Sequence, residues 1–238
     1  MKKSIVLATA VASVLTSGVA AAELSANAAI TSNYIWRGVT QTSDQAAGQG
    51  GIDWGHGSGL YVGTWVSNVN FDNSDDGYEM DVYAGFGGEV GSLGYDLGVL
   101  TYQYPVTPEF NFTEVYVSGT ASIVTIGLNY TVDAASGNDA ENTAGASGLF
   151  DSGDTYVYGS LDFPAGKSDV SVYAGSYMFA NDGKSFANGN TYGDLNYNHF
   201  GASIGKDGFS FAVDKNDIEG GSTDNVRFTA MYSVDFEL

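Results

Sequence analysis

The sequence predicts an all-β protein: a single antiparallel transmembrane β-barrel of about 12 strands, with short periplasmic turns and long extracellular loops. Many short segments alternate apolar and polar residues, which places one set on each face of a strand. The chain has 33 Gly, 16 Tyr and 13 Phe but only 3 Pro and no Cys, a composition that favours strands and turns over helices. The connections alternate between long and short, as in outer-membrane barrels.

The first 22 residues are typical of a secretory signal peptide. Lys2 and Lys3 precede a mostly apolar run over residues 5–15, and the small residues 20–22 fit an A-x-A cleavage site. A short membrane anchor is the alternative, but the apolar run is too short to span a bilayer as a helix. We therefore expect a leader over 1–22 and one barrel domain over 23–238.

The strand at residues 225–238 shows the alternation most clearly, since every second residue from Val226 to Leu238 is apolar. Alone, it also fits an edge strand of a soluble β-sandwich, but a sandwich gives no reason for loops sorted by length. The other eleven predicted strands cover residues 24–37, 50–55, 60–67, 78–86, 93–99, 110–118, 124–130, 155–163, 169–178, 200–204 and 209–213.

Local signals support the ends of several strands. Tyr34 and Trp36 at the far end of the first predicted strand suggest an interfacial aromatic girdle. Pro105 and Pro108 indicate a loop. The dipeptide Asp207-Gly208 predicts a tight hairpin turn. For the strand at 110–118, the pattern does not identify which face is polar.

The charge balance is strongly acidic. Without Lys2 and Lys3, six basic residues face 28 acidic ones, a net charge of −22. This argues against nucleic acid as a partner, because such binding needs Lys and Arg to neutralise phosphates. The acidic surplus is compatible with a cation-favouring pore or with divalent cations at the surface, and also with plain solvation of exposed loops.

Charged residues at the alternate strand positions that carry mostly polar side chains are predicted to line an aqueous lumen. They are Arg37, Glu79, Asp81, Asp96, Asp162, Asp169 and Arg227. Arg37 and Arg227, on the first and last predicted strands, could form a basic spot in an acidic lumen. The alternative is simple pairing of each arginine with a nearby carboxylate.

No catalytic, cofactor-binding or metal-binding residue is predicted. A hydrolase within the barrel would need a base such as His, and only His56 and His199 exist. His199 and Ser203 are four residues apart on one strand, roughly 13 Å, and cannot touch. The acidic run from Asp72 to Gly77 resembles part of a calcium loop but has neither the terminal acid nor the flanking helices of an EF-hand.

Two runs carry a family resemblance. Residues 32–42, SNYIWRGVTQT, resemble the opening signature of the TorF family of porins, exported proteobacterial proteins of uncharacterised function, and residues 59–69, GLYVGTWVSNV, resemble its second signature. The GYDLG run at 94–98 also fits. The resemblance implies an outer-membrane barrel with no established substrate or catalytic residue, so no site is carried over.

We therefore expect a protein of the cell outer membrane of a Gram-negative bacterium that lets small polar solutes or ions, with a bias toward cations, diffuse passively. The alternative is a non-conducting barrel whose long loops bind a ligand or partner. Its expected surroundings are outer-membrane lipid and lipopolysaccharide, with the barrel assembly machinery acting during biogenesis. No cofactor is expected.

Overall fold

A computed structural model describes residues 23–71, 77–135, 150–183, 193–219 and 225–238. Twelve antiparallel strands close into one barrel, as predicted. These strands are β1 Glu23–Thr31, β4 Ala47–Gly55, β5 Leu60–Val69, β6 Gly77–Val90, β7 Leu93–Gln103, β8 Phe112–Ala121, β9 Val124–Ala134, β10 Thr155–Ala165, β11 Ser168–Met178, β12 Tyr197–Lys206, β13 Phe209–Asn216 and β14 Arg227–Glu237. Two short strands, β2 Ile35–Trp36 and β3 Val39–Thr40, form a separate hairpin.

The barrel closes because β1 pairs with strands on both of its sides. Ala28 lies opposite Val234 of β14 and opposite Gly50 of β4. All neighbouring barrel strands are antiparallel, and apart from the inserted hairpin they follow one another in sequence. A closed ladder leaves no row of unpaired backbone groups, which is the condition for a sheet that crosses lipid.

The two ends of the barrel have different connections. At one end lie the short turns at residues 56–59, 91–92, 122–123, 166–167 and 207–208, and we call this the short-turn end. All longer connections lie at the opposite, long-loop end, as the sequence predicted. In the predicted hairpin turn, Asp207 and Gly208 have φ values of 51° and 86°, typical of the primed turns that join two-residue hairpins.

The outward face of the barrel is apolar. Val62 and Val66 of β5 are exposed. Apolar residues at the outward-facing positions of other strands are exposed as well, such as Ile126, Phe200 and Phe228, the last 78% exposed. Polar residues instead concentrate among the buried positions, including Glu79, Asp81, Glu114, Ser171 and Asp214. This inside-out distribution is that of a barrel surrounded by lipid with a polar interior.

Tyrosine rings on the inner face lie across glycines of neighbouring strands. The ring of Tyr83 occupies the space where a Cβ of Gly63 would stand, and Tyr116 does the same at Gly98. Aromatic rings laid over strand glycines are a known device for fixing register in curved sheets. The high content of both residue types therefore reflects a layer of rings on the inner wall.

The first predicted strand, 24–37, is wrong beyond Thr31. β1 ends there, and residues 32–46 turn into the lumen, where they carry the β2–β3 hairpin. Tyr34 is only 3% exposed and Trp36 packs against buried rings, so this pair is not an interfacial girdle. The remaining predicted strands are present with shifted ends; for example, Phe110 belongs to a short 3-10 helix, Pro108–Phe110, ahead of β8.

The predicted leader, 1–22, lies outside the described residues and stays a prediction. The same holds for the calcium-like run, of which only Gly77 is described. Across the ranges that the structure describes, no helix has the length and apolar content required to cross a membrane.

Candidate functional site

The lumen is narrowed at the long-loop end by residues 32–46, which we call the luminal segment. Its tip is a two-residue turn in which Arg37 and Gly38 have φ values of 48° and 79°. This is the geometry of a primed hairpin turn, where glycine is usual and a long side chain is rare. A residue held in this backbone region must be stabilised by its surroundings.

Arg37 provides that stabilisation through a carboxylate on the far wall. Its Nη1 donates to Oε1 of Glu114 on β8 at 2.9 Å, and its Nη2 donates to Oε2 at 2.6 Å. Asn129 also donates to Glu114, at 2.9 Å, and both members of the ion pair are at most 5% exposed. The bidentate pair therefore fastens the tip of the luminal segment across the lumen.

Aromatic rings surround the guanidinium of Arg37. Its Cζ lies 4.3 Å from the ring centroid of Trp36, 4.2 Å from that of Tyr156 and 4.9 Å from that of Tyr177. Trp36 makes edge contacts with further rings, including Phe112 at 6.1 Å. Cation–π contacts of this kind stabilise a desolvated arginine and exclude water from around it.

A second contact fastens the luminal segment to β6. The hydroxyl of Tyr34 donates to Oε1 of Glu79 at 2.9 Å, and Tyr104 donates to Oε2 at 2.8 Å. Asp81 follows on the same face of β6 and is 0% exposed, and no described residue donates a hydrogen bond to either of its carboxylate oxygens. Glu79 and Asp81 therefore differ sharply: the first is fully engaged and the second is unpaired.

Arg227, at the start of β14, pairs with the luminal segment itself. Its Nε donates to Oδ1 of Asp44 at 2.7 Å, and Asp44 is half-exposed. Arg37 lies in the hairpin turn and not on the first barrel strand, and it too is bonded to a carboxylate. Each arginine is thus paired with its own carboxylate, which agrees with the alternative of simple pairing and not with a shared basic spot.

A cavity of about 50 Å³ remains between the luminal segment and strands β11 to β14. Its lining includes His199, Ser203, Ser210, Asp214 and Thr229, with Arg37 on the side of the hairpin. The hydroxyl of Tyr173, also in the lining, donates to Oδ1 of Asp214 at 2.6 Å. A space of this volume with several polar side chains in its lining has room for a few water molecules. The lumen is therefore packed with rings on one side and keeps a small cavity on the other.

His199 faces this cavity without a catalytic arrangement around it. Its Nε2 is 2.7 Å from the hydroxyl of Tyr156, its Nδ1 has no hydrogen-bond partner within the described part of the chain, and Gly38 packs against its side chain. Ser203 lines the same cavity but lies four residues along β12, beyond hydrogen-bond reach. Among the described residues, no group of three or more His, Cys, Asp or Glu side chains could hold a metal ion.

The other sequence-predicted lining residues lie apart from this site. Asp96 on β7 is half-buried and accepts a hydrogen bond from Tyr61 at 2.7 Å. Asp162 on β10 accepts one from Ser160 at 2.5 Å, and Asp169 is half-buried on β11. Both are near the short-turn end. Their role in lining a pore stays a prediction.

Glu114 is the site residue that sequence reasoning missed, whereas His199 was considered there only as the base of a hydrolase. Glu114 lies in the one strand whose polar face could not be identified from the sequence. The reason is that apolar Phe112, two residues earlier, is on the same face as Glu114 and is itself buried inside the barrel. The only available signal was an acidic residue in the middle of an otherwise apolar and hydroxyl-bearing strand.

Comparison with known proteins supports the fold. A family model described as a bacterial protein of unknown function, Gcw_chp, matches residues 16–236. The fold is similar to the KdgM porin, with a TM-score of 0.52, 10% identity, and coverage of 90% of this chain and 99% of that chain. It is also similar to the NanC porin, with a TM-score of 0.50, 10% identity and coverage of 90% and 100%. No curated protein matches the sequence.

Proposed function

Because the chain belongs to the Gcw_chp family of bacterial proteins of unknown function, and folds as a porin-like barrel, we propose that it is a narrow outer-membrane channel. It allows passive diffusion of ions and very small polar solutes and favours cations. The apolar outer face fits the hydrocarbon of a membrane, and sorted loops fit insertion with the long-loop end outward. The resemblance of residues 32–42 to the TorF porins points the same way.

The observation that carries this proposal is the cavity beside the luminal segment, which several polar side chains line. It extends along the inner face of β12 to β14, from Asp214 near the long-loop end to Ser210 near the short-turn end. Hydroxyl groups, an imidazole and a carboxylate line it, which are groups that replace the hydration of a passing solute. Its small volume limits passage to water, ions and solutes of a few heavy atoms.

The preference for cations rests on the net negative charge of the whole chain and on the pairing of its two luminal arginines with carboxylates. The acidic surplus gives the mouths of the barrel a negative potential, which raises the local concentration of cations. Both arginines near the lumen are neutralised by carboxylates, Arg37 by Glu114 and Arg227 by Asp44. Neither arginine therefore offers an anion an unpaired positive charge at this constriction.

A second candidate function is a non-conducting barrel whose long-loop end binds a ligand or partner. The specific observation that favours it is the dense ring packing around Arg37 and Trp36, which seals much of the lumen. Hydrolysis is not proposed, because His199 and Ser203 cannot bond to each other.

The test is electrical. Residues 23–238 are refolded in detergent and inserted into a planar bilayer, and single-channel conductance and reversal potential are measured in a tenfold KCl gradient. We expect small, regular conductance steps and a reversal potential on the side of K⁺ selectivity. A barrel that inserts but carries no current would contradict the channel and favour the second candidate. A reversal potential on the side of Cl⁻ would contradict the cation preference alone.

A further inference from the structure

Four charged side chains meet beneath the luminal segment and do not balance. Glu79, Asp81 and Glu114 are at most 1% exposed, and the cation bonded to this group is Arg37, 5% exposed. Three carboxylates and one guanidinium leave a formal charge of −2. Removing an unbalanced charge from water costs several kcal/mol, so groups of this kind take up a counter-charge or a proton.

Asp81 is where the counter-charge is missing. Glu114 accepts both donors of Arg37, and each oxygen of Glu79 accepts a tyrosine hydroxyl. No described residue donates to either oxygen of Asp81, which lies two residues from Glu79 on the same face of β6 and opposite Tyr102, whose hydroxyl donates to Glu114. A fully buried carboxylate with two unused oxygens therefore points into an acidic group.

The side chains beside Asp81 suit a cation as its partner. In the sheet, Asp81 lies between Trp65 of β5 and Tyr102 of β7, which are its direct register partners. Tyr34 packs edge-on against Trp65, with ring centroids 5.4 Å apart. Aromatic faces attract cations through their quadrupoles, so these rings add to the attraction of the carboxylates.

We propose that Asp81, together with Glu79, binds a singly charged cation such as Na⁺, K⁺ or ammonium inside the barrel. A divalent ion such as Mg²⁺ is not the expected occupant, because it gives up its water reluctantly and Asp81 is the one carboxylate of the group that has no donor among the described residues. An unpaired carboxylate next to one that accepts only neutral hydroxyl groups suits a single positive charge.

The site deepens the proposed function, since a cation held next to the constriction would set the ion selectivity of the channel. Its effect on selectivity rests on that function, but binding itself does not. The test therefore has two arms, one that needs no current and one that does.

The first arm measures urea unfolding of the refolded barrel in detergent. The salt is NaCl, KCl or choline chloride at equal ionic strength, and choline serves as a cation too large for the site. We expect the unfolding midpoint to be higher in Na⁺ or K⁺ than in choline. Asp81→Asn should abolish this difference and keep the fold, because the amide has the same shape and carries no charge.

Glu89→Gln is the matched control. Glu89 lies on the same strand but is exposed near the short-turn end, so its replacement removes the same charge outside the site. The cation-specific difference should persist in this variant. Equal midpoints of the unmodified chain in all three salts would overturn the proposal and indicate that Asp81 is held as a neutral acid. A difference that persists in Asp81→Asn would overturn it as well.

The second arm measures the ratio of K⁺ to Cl⁻ permeability in planar bilayers. We expect Asp81→Asn to lower this ratio about tenfold, since it removes one full charge in a medium of low effective dielectric constant. Glu89→Gln should change it less than twofold. A conducting barrel whose ratio is unchanged by Asp81→Asn would overturn the selectivity role while leaving the channel intact. A barrel that carries no current would contradict the proposed function, and the first arm alone would then decide the site.

Discussion

Arg37 and Glu114 lie 77 residues apart in sequence and meet as a buried, bidentate ion pair across the barrel lumen, with N–O distances of 2.9 and 2.6 Å. Arg37 brings the tip of the luminal segment to this point, and Glu114 belongs to the opposite wall. The pair is therefore the main polar contact that keeps the segment across the lumen.

Replacing Glu114 by Gln should release the luminal segment and enlarge the channel. Removing one partner of a buried ion pair leaves an uncompensated charge and typically costs about 3–5 kcal/mol. We expect the single-channel conductance to rise severalfold and the urea midpoint to fall. The matched control is Asp44→Asn, which weakens the pair with Arg227 at a carboxylate that water already reaches, so its effect should be smaller. Equal effects of the two variants would contradict the role given to Arg37.

Gly38→Ala should loosen the tip of the luminal segment. Gly38 has φ +79°, and a Cβ there would fall inside contact distance of the His199 side chain. Gly166→Ala is the control, because Gly166 has a similar φ of +69° with no atom within 4 Å of the added Cβ. Both variants carry the same backbone strain, so only Gly38→Ala should raise current noise and conductance. The measurement is single-channel recording of both proteins side by side.

Gly98→Ala should destabilise the barrel, whereas Gly94→Ala on the same strand should not. A Cβ at Gly98 would collide with the Tyr116 ring and with the backbone oxygen of Ala84, and overpacking of this kind costs about 1–3 kcal/mol. At Gly94 the nearest atom would be an ordinary 3.7 Å away, and losing a glycine from a strand should be neutral or stabilising by up to about 1 kcal/mol. Urea unfolding in detergent measures both. Similar losses at the two positions would contradict the ring-over-glycine account.

The connection between β9 and β10 should weaken as the pH rises. Burial raises the pKa of the Asp154 carboxyl to about 6, even though the backbone N–H groups of Ala180 and Asp151 donate to it. A raised pKa in the folded state favours the protonated form, so this contribution to stability is full below about pH 4 and is lost as the pH passes 6. We expect the urea midpoint to fall between pH 4 and 7 in the unmodified chain.

Asp154→Asn should reduce the fall of the urea midpoint between pH 4 and 7 by the part that the Asp154 carboxyl causes. The amide cannot ionise and still has an oxygen to accept one of the two backbone N–H groups. The difference between the two profiles isolates the group from other titrating carboxylates. Parallel profiles over the whole range would show that Asp154 is not the cause.

The strands could be predicted because lipid and water impose opposite requirements on alternate residues. On β5, Val62 and Val66 face outward while Tyr61 and Trp65 face inward, and this pattern is visible in the sequence alone. The luminal segment could not be predicted in the same way. Tyr34 and Trp36 continue the period-two alternation of β1, but the burial of their rings depends on contacts with β6, β7 and β11 that lie far away in sequence.

The site was predictable only in part for the same reason. Glu79 and Asp81 were identified from their parity on one strand, but nothing local distinguishes the hydrogen-bonded carboxylate from the unpaired one. That difference comes from Tyr34 and Tyr104, which reach Glu79 from other segments and leave Asp81 without a donor. Glu114 acquires its role only once Arg37 is brought across the barrel.

The luminal segment is joined at one end to Thr31 of β1 and at the other to Ala47 of β4, which are paired neighbours in the wall. A stretch anchored twice at adjacent points cannot diffuse away when its tip is released, and short loops re-form contacts within about 10–100 ns to microseconds. Any release of Arg37 from Glu114 is therefore followed at once by many chances of recapture. Electrical recordings should accordingly show one steady level, because such fast excursions are averaged, without long-lived open and shut dwells.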